Sequence, residues 1–423
     1  MCIKFAFRRN LIYPIQYIIW SFGREILSFI IFKRINFTNN AVYLPTMFFG
    51  EIFAGGIFYL YEKRVMKSIK KEKEEKGEDS EKYFMSIKLI ENEKEQEDEY
   101  FTPLDSKKKI IFLIFLSALF DDVQFLLSHV MIPSFHILSP SFGPRLNGFS
   151  TLFATFFYVY ALKLPVFRHH QISLSIIGIC LIIIIATEYI FNKSNSFFKY
   201  YYLAVGLGYS IVSQILVACK DSLEKYLFEY DFMDPFVVLM YEGIFGYLLS
   251  FLLLLDKNYF NELSNYYNSN SKKPLLLLNL GAALFVYMIL SGGKNLFRVV
   301  TNKIYSPMTK TLADYFLNPI YLGYYFGACE DFRIHGKFDA WYFSINIVIS
   351  LIISFFGCAY DEFIILFFCN LERDTHDQIS RRASKIEELT ELVNADDEDE
   401  EEEEESENSS NISNKKNLKK NNI

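Results

Sequence analysis

Eight side chains stand out for where they lie. Glu51, Asp121, Asp122, Glu242 and Asp314 are acids, Arg145 and Lys294 are bases, and Asn295 is a neutral amide; all fall within or at the edge of long apolar runs. An ionisable group in hydrocarbon costs roughly 2.5–3.5 kcal/mol on insertion scales, so each should face a partner or a wet cavity. The chemistry open to such a set is reversible binding: of a solute, or of a proton taken up and released by a carboxyl in low dielectric. For Glu51 and Glu242 two readings stand side by side: a paired solute or proton site on a central cavity, or hydrogen bonds that fasten helices together. Asp121 and Asp122 are adjacent and so about 100° apart on a helix. One of them is expected to face the cavity with Arg145 as its partner, and an ion pair that is purely structural is the equal alternative.

Helix-breaking Ser139-Pro140 and Phe142-Gly143-Pro144 flank Arg145 and would leave backbone donors for an anion. Lys294, Arg298 and Lys310 read as a cationic mouth. Attraction of an anionic solute is one account, and positive-inside anchoring is favoured for Arg298 and Lys310. Tyr241, Tyr287 and Phe297 are candidates to stack on a ring. His129, His136, His169 and His170 have no metal-like spacing and are read as interfacial. Six scattered cysteines form no C-x-x-C or Cys/His pairing. No metal or cofactor is expected. The chain lacks a G-x-x-x-x-G-K-[ST] loop, an H-E-x-x-H motif and a Ser/His/Asp spacing, so neither direct ATP drive nor an enzyme is read from it.

The elements that must position these groups follow from composition. Of 423 residues 51% are apolar and 18% aromatic, yet 22% are charged. The charges are segregated: residues 62–109 carry 27 and residues 371–423 carry 25. The remainder has too little polar surface to cover its apolar mass in water. The net charge of −7 reflects eleven acids within 394–407, a run that repels itself and is read as a disordered acidic tail.

A helix crossing about 30 Å of hydrocarbon needs roughly 20 apolar residues. Ten segments fit: 11–32, 42–61, 110–132, 139–162, 171–191, 199–219, 235–255, 274–295, 306–328 and 340–368. Arg24 and Glu25 interrupt the first. The fold expected is an all-α polytopic membrane protein of ten transmembrane helices, 1–191 and 199–369 each holding five, with a charged cytosolic loop at 62–109. Lys63, Arg64, Lys67, Lys70, Lys71 and Lys73 place that loop in the cytosol and, with an even span count, both termini there too. A sequon at Asn192-Lys193-Ser194 falls on the far side, and Ser384 follows a basic Arg381-Arg382-Ala383 context.

The two sets of five correspond. Phe48-Phe49-Gly50-Glu51 with Gly55-Gly56 in the second span matches Met240-Tyr241-Glu242-Gly243 with Gly246 in the seventh, and Ser139-Pro140 matches Ser306-Pro307. Because five is odd, sequential copies lie in opposite senses, giving two inverted repeats with a solute site near the midplane. This plan, Gly50-Glu51, Tyr241-Glu242-Gly243, and Asn295-Leu296-Phe297-Arg298-Val299-Val300-Thr301-Asn302-Lys303 leading into Ser306-Pro307 resemble the drug/metabolite transporter superfamily. The nearest branch is similar to the F-type solute carriers related to nucleotide-sugar transporters. The resemblance covers about 41–370 without the charged loop; the first span departs from the family's plain apolar helix.

The resemblance implies a secondary transporter for a small organic solute, with nucleotide sugars, nucleosides or other metabolites as the classes, a coupling proton, and no nucleic-acid partner. An endomembrane (Golgi, endoplasmic reticulum or lysosome-like) is the expected compartment. Lys419-Lys420-Asn421-Asn422-Ile423 resembles a retrieval signal with its lysines one place early. A non-transporting scaffold or receptor working through the 62–109 loop and the tail is the competing account.

Overall fold

The computed structural model describes residues 3–5, 12–37, 39–76, 105–128, 145–160, 166–192, 200–255, 257–305, 309–310, 313–314, 333–334, 337–338, 340–362, 364–366, 375, 378 and 382. Within these the chain is helical apart from two short ladders. Its ten α-helices are α1 (Ile12–Ile30), α2 (Asn40–Lys76), α3 (Asp105–Leu126), α4 (Gly148–Tyr160), α5 (Arg168–Asn192), α6 (Tyr200–Glu229), α7 (Pro235–Leu254), α8 (Lys257–Asn270), α9 (Pro274–Ile304) and α10 (Ala340–Tyr360). Strand β1 (Ile3–Phe5) pairs antiparallel with β4 (Ile364–Leu366), and β2 (Arg333–Ile334) with β3 (Lys337–Phe338).

Six of these helices, α2, α5, α6, α7, α9 and α10, are long and apolar enough to cross a membrane, which is compatible with a multi-pass membrane protein. Their apolar residues point outward as well as inward: Ile182, Leu248, Leu278 and Trp341 are all exposed. In a soluble protein such a surface would aggregate, whereas in lipid it meets its own kind. Most of the expected ninth span, the Ser139-Pro140 and Ser306-Pro307 pairs, His129, His136, Ser384, Lys193, Ser194 and the acidic tail lie outside the described residues.

Local sequence sets the helix ends. Asp234 caps α7, its carboxylate accepting from the Phe236 backbone N–H at 2.7 Å, with Pro235 in the first turn. After α1 a π-helical turn, Ile31–Ile35, ends at Asn36 in the left-handed conformation (φ 55°). Asn36 hands the chain to Asn39, whose side-chain amide donates to the Tyr259 carbonyl of α8 at 2.9 Å. Pro274 opens α9.

Helix α2 packs against α7 and α9, α9 against α1, α3 against α6 and α7, α4 against α6, and α5 against α10. Small residues let the backbones touch. A Cβ on Gly50 would lie 2.3 Å from the Met288 carbonyl oxygen, and one on Gly292 would lie 2.4 Å from that of Gly50. Gly55 meets the backbone of Phe236 and Met240 in the same way, and Gly246 meets the Phe48 ring. Close approach of this kind replaces the hydrophobic drive that lipid abolishes between helices.

Three helices outrun their apolar segments. α2 continues through Lys76, α6 through Glu229 and α9 through Ile304, whereas the apolar count stops at 61, 219 and 295. In α6 and α9 the extra turns are charged and buried, and they build the site.

Candidate functional site

Spacing on three helices brings the central cluster together. Lys220 and Asp221 each stand one turn from Glu224 on α6, Asn295, Arg298 and Asn302 form an i, i+3, i+7 stripe on α9, and Ser117 and Asp121 are i, i+4 on α3. Helices α2 and α7 add Glu51 and Glu242, which are 0% and 1% exposed. Arg298 is the hub: its guanidinium bonds Glu224, reaches Glu242 at 3.2 Å and lies 3.6 Å from Asp221. Lys310 pairs with Asp221 at 3.0 Å, and Lys220 with Asp121. The Asn302 amide donates to Glu224 at 3.0 Å and to the Asp221 carbonyl at 2.9 Å.

Glu51 and Glu242 each accept a hydrogen bond from a neutral side chain, and Glu242 alone is also paired with Arg298. The Asn295 amide of α9 donates to Oε1 of Glu51, and the Ser117 hydroxyl of α3 donates to Oε1 of Glu242. Glu51 keeps Oε2 buried with no hydrogen-bond partner, and both carboxylate oxygens of Asp122 are in the same position. Above Asp121 on α3 a neutral polar seam continues, with Gln124 and Ser128 bonded to Ser213 of α6.

Arg145 belongs to a second cluster, which corrects the pairing expected with Asp121 or Asp122. Its guanidinium donates to Glu188 of α5 at 3.0 Å, to Asn346 of α10 at 2.6 Å and to the Tyr342 hydroxyl at 3.2 Å, and Tyr342 in turn donates to Glu188. Arg145, Glu188, Tyr342 and Asn346 are all at most 3% exposed. The cause is the packing: α6 runs along α3 and supplies Lys220 to Asp121, while Arg145, just before α4, faces α5 and α10.

Asp314 and Lys294 gather around a third point, Tyr17 of α1. The Tyr17 hydroxyl donates to Asp314 at 2.8 Å, and the Lys294 ammonium sits 5.9 Å from the centre of the Tyr17 ring. Arg24 and Glu25, which interrupt the first span, are bonded to each other. Arg298 and Lys310 are 4% and 8% exposed and each is ion-paired, so anchoring at an interface is not what holds them. Of the stacking candidates, Tyr287 is buried edge-on against Tyr43, Phe297 stacks on Trp20, and Tyr241 is exposed. His169, in the first turn of α5, is buried 3.6 Å from Glu362.

The sequence reading missed Lys220, Asp221, Glu224 and Glu188. The signal was present: Lys220-Asp221-Ser222-Leu223-Glu224-Lys225 puts four charges within two turns directly after an apolar run, and a helix continuing through them must carry them inside. At the end of α6, Lys109 donates to the Tyr226 hydroxyl at 2.7 Å, a bond that raises the Lys109 pKa.

Among the described residues, no group of three or more His, Cys, Asp or Glu side chains is placed to hold a metal ion. A cavity of about 540 Å³ opens at the junction of α8 with the turn after α1, between Arg34, Asn36, Tyr266 and Lys273, and none of the buried acids lines it. Compared with known proteins, the chain matches no family model and no curated sequence.

Proposed function

We propose that this chain is a secondary transporter that moves a small organic solute across a membrane by alternating access, built as two inverted five-helix repeats like the drug/metabolite transporters it resembles. The observation that carries the reading is that Glu51 and Glu242 are both buried, both in the second helix of their set, and both bonded to a neutral donor on the helix that packs beside them, Glu242 being paired with Arg298 besides.

The helix neighbours support it. Take α9 as the eighth span and α10 as the tenth, and advance every span by five. The contact of α2 with α7 then maps onto itself, as does that of α5 with α10. The α2–α9 contact becomes α7–α3, and α1–α9 becomes α6–α3. The α4–α6 contact becomes one between the ninth and first spans, where Tyr17 bonds Asp314. These main contacts exchange as a two-fold axis in the membrane plane would have them, whereas, among the described residues, the lesser contacts of α9 with α7 and with α6 have no comparable counterpart in contacts of α3 with α2 and with α1. Acids closed off from solvent in both halves correspond to an occluded state, and rocking one half against the other would open them to each side in turn.

Purified protein reconstituted into liposomes, challenged with a panel of nucleotide sugars, nucleosides and organic cations, tests the reading. Counterflow of at least one class is expected, abolished by Glu51→Gln and by Glu242→Gln. Absence of exchange across the whole panel, in vesicles where the protein is folded, overturns it.

A further inference from the structure

The cavity beside α8 has a chemistry that the buried clusters lack. Its volume, about 540 Å³, falls in the range of small-molecule sites. Arg34, from the turn after α1, and Lys273, just before α9, line it together with Asn36, Asn265 and Ser269, and no acid is among its lining residues. The one acid of α8, Glu262, accepts from the Asn39 amide at 3.4 Å instead. Arg145, Lys220, Arg298 and Lys310 each have a carboxylate, whereas among the described residues neither Arg34 nor Lys273 is ion-paired. The cavity therefore offers positive charge and neutral hydrogen-bonding groups, which suits an anion.

Its walls are fastened to one another. The Tyr266 hydroxyl of α8 donates to the Ile35 carbonyl at 3.0 Å, and the Tyr266 ring meets Phe37 edge-on at 5.1 Å. The Lys273 backbone N–H donates to the Asn270 carbonyl at 2.8 Å, and the Asn270 amide donates to the Tyr266 carbonyl at 3.0 Å. A site held this way needs little ordering when a ligand arrives.

Its position says which anion. Helix α8 joins α7 to α9, each long and apolar enough to cross a membrane, so it falls at the level of a bilayer's headgroups. Exposed Phe260 and Tyr267, seven residues apart, share one face of α8, as aromatics at that level do. Back along α1 from Arg34 stand exposed Phe32 and Ile30, and forward along α9 from Lys273 stand exposed Leu275 and Leu278. Because α1 packs on α9, the two helices together present a charged head above an apolar flank.

We propose that this cavity binds an anionic phospholipid. Arg34 and Lys273 hold the phosphate, the guanidinium by paired hydrogen bonds and the ammonium as a point charge. Asn36, Asn265 and Ser269 surround the rest of the headgroup, and the acyl chains lie along α1 and α9. A choline headgroup would bring an ammonium that meets no acid there. The inference needs a bilayer and not a transported solute, so it stands whatever the flux measurements return.

Native mass spectrometry of the purified full chain, lifted from micelles loaded with equal amounts of phosphatidylinositol and phosphatidylcholine, tests it. The unaltered chain is expected to keep phosphatidylinositol several-fold more often than phosphatidylcholine. Arg34→Gln with Lys273→Gln should erase that preference, and both side chains are exposed, so folding is expected to survive. Arg34→Lys with Lys273→Arg should keep it, as should Lys257→Gln with Lys272→Gln, a control on exposed bases that do not line the cavity. A diazirine on the acyl chain of phosphatidylinositol should mark peptides from the end of α1 and the start of α9. Equal retention of the two lipids by the unaltered chain overturns the proposal without any variant, and so does a loss of preference as large in the Lys257 and Lys272 control. Displacement of the bound lipid by millimolar inorganic phosphate would assign the cavity to a free anion and overturn the lipid.

Discussion

The cluster around Arg145 and the cluster around Arg298 are both buried, and both are centred on a guanidinium, yet they differ in completeness. Among the described residues, one base meets one acid around Arg145, namely Glu188, and Tyr342 and Asn346 add hydrogen bonds. Around Arg298 the bases run out before the acids do, and Glu51 and Asp122 are left with unmet oxygens. A base and an acid that neutralise one another need no ligand to do so, and such a pair is suited to fastening helices. An unbalanced set leaves an acid to hold a proton or meet a positive group, which is what the proposed carrier needs of it. Burial alone does not separate structure from function here; the charge balance does.

The comparison breaks first at Arg145. Arg145→Met leaves Glu188 buried without its cation, and a loss of about 3–5 kcal/mol is expected, read as a large fall in the thermal unfolding midpoint in detergent. Adding Glu188→Gln to that variant should restore most of the stability, because replacing both members of a buried pair is far milder than removing one. Restoration would mark the cluster as a fastener; failure to restore it would assign Glu188 a further role.

A smaller effect sharpens the packing side. Gly50→Ala drives a methyl into the Met288 carbonyl, and overpacking of this order costs about 1–3 kcal/mol. Gly56→Ala, where nothing stands within 4 Å, should leave the unfolding midpoint unmoved.

The smallest change in stability is expected at the centre. Glu51→Gln keeps an acceptor for Asn295 and removes an uncompensated acid, so stability should shift by no more than about 1 kcal/mol while transport is lost. If Glu51→Gln instead unfolds the protein, the contrast between the clusters fails. Deleting residues 394–423 should leave flux intact, whereas a scaffold would lose its partner.

Apolar run length marked α7 well, overran α10, which ends at Tyr360 and gives way to β4 (Ile364–Leu366) inside the expected 340–368 span, and fell short where a helix carried its charges inward. The ends of α6 and α9 were misjudged for one reason: Lys220, Asp221, Glu224 and Arg298 look like an interface in sequence, and only the packing of α6 on α3 and α9 shows that they neutralise one another. Glu51 and Glu242 were legible because an isolated acid in an apolar run has no innocent local account. The partner of Asp121 was not, since nearness in sequence favoured Arg145 and the bundle supplied Lys220 from 99 residues away. Glu188 hid among the isoleucines of α5, where a single acid close to a helix end reads as a boundary.

The ladder of β1 with β4 has a mechanical consequence. Ile3, Lys4 and Phe5, ahead of α1, are zipped to Leu366, Ile365 and Ile364, beyond α10, so the first and last helices are buckled together at one rim of the bundle. In the proposed carrier such a buckle would act as a hinge: a gap between the halves would widen freely only at a distance from it, and severing those three pairs would let the rim gape.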